Sequence, residues 1–146
     1  MTPEAKECLG LIHWWRKTYP TYNDHLIRVN NGGKMSKKQR IFAWRMGEVT
    51  GASDYFLAMP SGDFLGLWLE MKSKTGRPED HQIRFLQDMR RVGYCGIVAY
   101  GVDEAREIIT AWMNERSEEI GWMQACPKKR ERNQARKERA NADETQ

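Results

Sequence analysis

A chain of 146 residues with 40% apolar content is sized for one folded domain around a single core. No apolar run approaches the roughly 20 residues that a bilayer span needs, and the opening Met1-Thr-Pro-Glu-Ala-Lys6 lacks a signal peptide's apolar stretch, so the expectation is a soluble, cytoplasmic protein with no membrane partner. The net charge of +4 excludes little, and Cys8, Cys95 and Cys126 are too dispersed for a metal knuckle and odd in number, so reduced thiols are expected.

Pro3 suits the first turn of a helix, and the spacing predicts one from Pro3 to Lys17 with Leu9, Ile12 and Trp15 or Arg16 along its buried stripe. Glu4 and Glu7 lie one turn apart on a single face. The helix is expected to end near Tyr19-Pro20. His25-Leu-Ile-Arg-Val29 then reads as a short strand, stopped by the turn signal Asn30-Asn-Gly-Gly33. Glycines there would let backbone come close to a ligand. Ser36-Lys-Lys-Gln39 is a capping box, so a second helix is expected to start there, to bury Ile41, Trp44 and Val49, and to stop at Gly51.

The stretch from Ser53 to Lys72 carries two apolar runs around Pro60-Ser-Gly-Asp63, which is the signal of a β-hairpin. Strand side chains alternate, so Leu65, Leu67, Leu69 and Met71 share one face, and Gly66, Trp68, Glu70 and Lys72 share the other. Asp54 and Glu70 are both eight residues from Gly62, so folding there sets them opposite each other. Asp54, Glu70 and Lys72 thereby converge. Charges in a mostly apolar sheet need a partner or a metal, and two adjacent carboxylates repel unless a cation lies between them. Two carboxylate oxygens and a backbone carbonyl suit a hard divalent ion such as Mg²⁺. The competing structural reading is a half-exposed strand with a simple Glu70–Lys72 pair.

Beyond the hairpin, Ser73-Lys-Thr-Gly-Arg77 is a polar loop in which Lys74 and Arg77 are candidate phosphate contacts. Pro78 is expected to open a third helix, with Gln82 in its first turns and Ile83, Leu86, Met89 or Arg90, and Gly93 along one side. Tyr94-Cys-Gly-Ile-Val-Ala-Tyr100 reads as an apolar strand. Asp103 is expected to cap a last helix to Asn114 that buries Ile108, Ile109 and Trp112. The order of elements implies an α/β layer with a mixed central sheet. Residues 115–123 would extend or repack that last helix. The division expected is a folded domain over 1–123 and a basic, disordered or fraying helical tail over 124–146.

Asp54, a hairpin, and Glu70-Met-Lys72 form the pattern of the PD-(D/E)xK nuclease superfamily. Together with Gly51-Ala-Ser-Asp54, Pro60-Ser-Gly-Asp63, Gly66-Leu-Trp-Leu-Glu70, Gly76-Arg77, Gln82 and Gly93-Tyr94, the chain from Glu4 to Met113 resembles a stand-alone, phage-type VRR-NUC domain. The resemblance implies a restriction-endonuclease-like core, with a catalytic β-hairpin in a mixed sheet flanked by helices. It implies a Mg²⁺- or Mn²⁺-dependent endodeoxyribonuclease in which Asp54, Glu70 and the Met71 carbonyl hold the ion, joined by Glu4 or Glu7 from the first helix. Lys72 and Gln82 would complete the catalytic set. A homodimer acting on branched DNA such as four-way junctions, in a phage or its bacterial host, is implied as well. Two positions depart from the family pattern. Asn30 stands where a Pro is usual, and Glu79 replaces a capping Ser, which is expected to weaken that helix start.

Charge distribution supports a nucleic-acid partner better than net charge does. Arg28, Lys34, Lys37, Lys38, Arg40 and Arg45 occur with no acidic residue between 28 and 45. Each cation that neutralises a phosphate releases a counterion. With Asn31, Lys74 and Arg77, these residues from Lys34 onward form the candidate DNA surface. Residues 128–146 hold seven Lys/Arg against four Asp/Glu. The alternative from another class is a non-catalytic DNA-binding protein that uses this stripe and the tail.

Overall fold

A computed structural model describes residues 1–29, 33–115 and Ala142. Its elements are α1 (Pro3–Thr18), a 3-10 segment (Pro20–His25), β1 (Leu26–Arg28), α2 (Lys37–Arg45), β2 (Tyr55–Leu57), β3 (Leu67–Lys72), α3 (Asp80–Arg91), β4 (Cys95–Tyr100) and α4 (Val102–Met113). The strands form one mixed sheet in the order β1-β2-β3-β4. β1–β2 and β2–β3 are antiparallel, and β3–β4 is parallel with α3 as the crossover. The mixed α/β architecture is the one the element order implied. No helix among the described residues is long and apolar enough to cross a membrane.

The hairpin register centres on Gly62. Tyr55 pairs with Leu69, Phe56 with Trp68 and Leu57 with Leu67, and Gly62 takes a positive φ of 53° in the turn. Alternation then sorts the sheet into two faces. Leu67, Leu69 and Met71 are fully buried with Tyr55 and Leu57 against Leu11 and Trp15 of α1 and Ile108, Ile109 and Trp112 of α4. Each fully buried Leu contributes about 1.5–3 kcal/mol, so this layer is the main core. Trp68 and Val98 on the opposite face meet Phe85 and Leu86 of α3. Trp68 also stacks on Phe56 at 4.6 Å, and a side chain at Gly66 would collide with that Phe56 ring.

Helix burial departs from expectation in three places. In α1 the buried stripe is Cys8, Leu11 and Trp15, while Leu9 is exposed. A thiol packs like a small apolar group, so the stripe runs one residue earlier. In α3 Phe85 joins Leu86, and Ile83 faces outward. In α2 only Ala43 is buried, while Ile41, Trp44 and Val49 are exposed. That helix also ends at Arg45, well before Gly51, with Gly47 at φ 92° just beyond. The Ser36–Gln39 capping box forms as read, each side chain bonded to the other's backbone N–H.

At the start of α3 the Glu79 backbone N–H donates to Gln82 Oε1 at 2.8 Å, a bond that any non-proline residue at that position would make. One further expectation changes, at the start of α4. α4 begins at Val102, with Gly101 at the capping position and Asp103 inside the first turn. Cys8 is a free buried thiol. Asn31 and the tail 124–146, apart from Ala142, lie outside the described residues.

Candidate metal centre and its surroundings

The open end of the hairpin, opposite the Gly62 turn, carries the charged cluster. β2 stops at Tyr55, so Asp54 is released from the ladder, and its Oδ2 accepts the Met71 N–H at 2.8 Å. In a strand the N–H and C=O of one residue point to the same side. The Lys72 carbonyl faces β4, where it accepts from Gly101 at 2.8 Å. The Met71 carbonyl therefore faces the other way, towards Asp54, along an edge that β2 no longer covers.

Glu70 is fully buried, and Lys72 nearly so. Glu4, from the first turn of α1, completes the group. One carboxylate oxygen from each of Glu4, Asp54 and Glu70 lies within 4.8 Å of the others. Lys72 Nζ stands 3.4 Å from Glu70 Oε1 and 3.9 Å from Glu4 Oε2. Gln82 Nε2 donates to the same Glu70 Oε1 at 2.7 Å. The orientation of this amide follows from Glu79, whose N–H requires the Gln82 oxygen and leaves the nitrogen for Glu70.

Glu70 Oε2 is buried and accepts no hydrogen bond. Burial pushes the Glu70 carboxyl up to about 8, and the Asp54 and Glu4 charges add to the rise while Lys72 opposes it. Pairing with Lys72 alone leaves this buried oxygen without a partner. The donor set, all hard oxygen with one buried acceptor unused, fits a divalent ion of the Mg²⁺ or Mn²⁺ type.

Glu7, the other first-helix candidate, has a different task. Its Oε2 accepts the Val102 N–H at 2.6 Å and so caps α4, whose capping residue Gly101 has no side chain. Glu4 alone of the two joins the cluster.

Around the centre, a cavity of about 440 Å³ is lined by Glu4, Asp54, Arg28 and Ser73 among others. Arg28 reaches its wall from β1 and donates to the Tyr55 hydroxyl at 3.3 Å, which donates in turn to the Cys8 carbonyl at 3.4 Å. Sequence reading counted Arg28 as one cation of a stripe. Its pairing with Tyr55 across β1 and β2 is what brings it to the carboxylates. Lys34, Lys37, Lys38, Arg40, Arg45, Lys74 and Arg77 are all exposed.

The fold assembled here is similar to that of a VRR-NUC domain. The chain is similar to a solved structure described as a VRR_NUC domain protein, with a TM-score of 0.66 and 20% identity over 78% of this chain and 90% of that one. No protein-family model and no curated protein matches the sequence.

Proposed function

We propose that this protein is a divalent-metal-dependent DNA endonuclease that hydrolyses phosphodiester bonds, with a preference for branched DNA such as four-way junctions and with a homodimer as the working form. The observation that carries the reading is the convergence of Glu4, Asp54 and Glu70 on one point beside a buried lysine. A protein that only bound DNA would gain nothing from three carboxylates aimed at a phosphate.

In this reading Asp54, Glu70, Glu4 and the Met71 carbonyl hold Mg²⁺ or Mn²⁺. Such an ion lowers the pKa of water and neutralises charge on a phosphate. Asp54 is steadied by the Met71 N–H, and Glu70 by Gln82, so neither carboxylate needs to reorganise during the reaction. Lys72 supplies a fixed ammonium for the charge that builds on the phosphate oxygens and helps position the attacking water. Arg28, anchored by Tyr55, offers a second cation for the phosphate backbone on the far wall of the cavity. The exposed cations of α2 and the loop 73–77 track the rest of the strand.

Incubating the purified protein with flap, fork, four-way and linear duplex DNA, with Mg²⁺, Mn²⁺ or EDTA, tests this directly. Cleavage only with a divalent ion, and fastest on branched substrates, is the expected result. Salt-sensitive binding with no cutting in any metal would favour the alternative, a non-catalytic DNA-binding protein, for which the acid-free cationic surface of α2 is the supporting observation.

A further inference from the structure

The helix α2 is anomalous for a folded domain. Its one buried residue is Ala43, and Phe42, Trp44 and the adjoining Met46 are 65%, 72% and 70% exposed. Large apolar side chains left together on a surface mark a place where something binds. These alternate with Lys37, Lys38, Arg40 and Arg45, and no acidic residue occurs from 28 to 47.

Helical spacing divides the exposed surface into two flanks. Lys37, Ile41 and Trp44 follow one another at i, i+4 and i+7, and Arg40 lies one turn before Trp44, so these four share one flank. Phe42, Lys38 and Arg45 share the other. The Trp44 flank borders a cavity that reaches Gln82 of α3. Arg40 and Trp44 line a cavity of about 320 Å³ together with Val49, Gly51, His81 and Gln82. Gln82 in turn holds Glu70. Gln82 is thus the residue that links the cavity beside Trp44 to the carboxylate cluster.

We infer that the Trp44 flank of α2 is a stacking platform for unpaired DNA bases next to the cutting site, with Lys37 and Arg40 holding the phosphates on either side of the stacked base. An indole bordered by cations is the chemistry that single-stranded nucleic acid selects, because every base has a π-face and every linkage a charge. A second copy of this chain is a poorer occupant. A twofold contact would set Lys37 and Arg40 of one copy against those of the other, with Glu48 the one carboxylate among the residues that line the cavity. The inference deepens the nuclease reading, since a platform for unpaired bases would select forks, flaps and junctions over plain duplex, but the binding itself does not require catalysis.

The test uses the full chain in EDTA, with anisotropy of a fluorescein-labelled oligothymidylate and of a duplex of equal length. Trp44→Ala is expected to weaken single-strand binding by about tenfold or more, with duplex binding nearly unchanged. Trp44→Phe is expected to restore most of the loss, and Phe42→Ala, on the opposite flank, to cause none. With Mg²⁺, Trp44→Ala is expected to raise KM on forked DNA while leaving kcat on duplex alone. Equal losses on both DNAs, or no loss on the single strand, would overturn the inference. A shift from dimer to monomer in sedimentation with single-strand binding intact would overturn it too, and would assign the face to a second copy. If the wild-type protein cuts no DNA in any metal but the Trp44 dependence holds, the nuclease reading fails and the platform stands.

Discussion

Gln82 Nε2 lies 2.7 Å from Glu70 Oε1, the same oxygen that Lys72 Nζ approaches to 3.4 Å. Both donors therefore act on one oxygen of the carboxylate, and the other, Oε2, is left without a hydrogen bond in a buried site. A carboxylate held by one oxygen has its second oxygen aimed. Gln82 is thus a positioning residue for Glu70.

Removing that positioning contact is expected to weaken divalent-ion affinity or cleavage by about 10–100-fold, the usual effect of losing a group that orients a metal ligand. Gln82→Ala also loses the bond to the Glu79 N–H. Gln82→Glu keeps an acceptor for Glu79 but presents oxygen, not N–H, to Glu70, and separates the two effects. Isothermal titration with Mn²⁺ measures the affinity. Both variants binding Mn²⁺ as the wild type does would refute the positioning role.

Lys72→Ala and Asp54→Ala are expected to abolish divalent-dependent cleavage while leaving DNA binding in place. Loss of one electrostatic stabiliser typically costs on the order of 10²–10³ in rate, and Asp54 contributes to ion binding as well. A gel assay of cleavage beside a mobility-shift assay separates the two properties. Wild-type cutting by either variant would remove these residues from the site.

The hairpin was the most legible part of the chain. Its strands have period two and its turn carries Pro60, Gly62 and Asp63, so counting from Gly62 placed Asp54 beside Glu70 without further information. Helix burial was less legible. Periodicity shows which residues share a face, not whether anything covers that face. Ile41 and Trp44 share a face of α2 as read, and nothing among the described residues packs over it. Glu4 and Glu7 were inseparable for a related reason. One turn apart on one helix, they differ only in what lies across from them, and the start of α4 is 95 residues away from Glu7.

That difference makes Glu4 and Glu7 separable by experiment. Glu7→Ala is expected to cost about 1 kcal/mol of stability through the lost cap on α4, with cleavage by the folded protein retained. Glu4→Gln is expected to leave stability nearly unchanged and to lower cleavage or ion affinity. Urea denaturation and the cleavage assay, run on both variants, provide the two measurements. A reversal of the pattern would exchange their roles.

Stability without a divalent ion is expected to depend on pH through Glu70. Its carboxyl titrates near 8 in the folded protein, against 4.5 for the ordinary group. Below about pH 4.5 both states hold the proton, and the contribution is fully present. Between about 4.5 and 8 the unfolded chain ionises while the folded one keeps its proton, so stability falls as pH rises, and the loss is complete above about 8. Melting temperatures in EDTA, compared between wild type and Glu70→Gln, isolate this group, because a neutral amide cannot ionise. The wild-type curve is expected to fall relative to the variant across that window. Added Mg²⁺ is expected to raise the wild-type melting temperature most at the alkaline end, where a bound cation compensates the ionised carboxylate. A constant difference between the two proteins at every pH would show that Glu70 is not the buried, proton-holding member of the cluster.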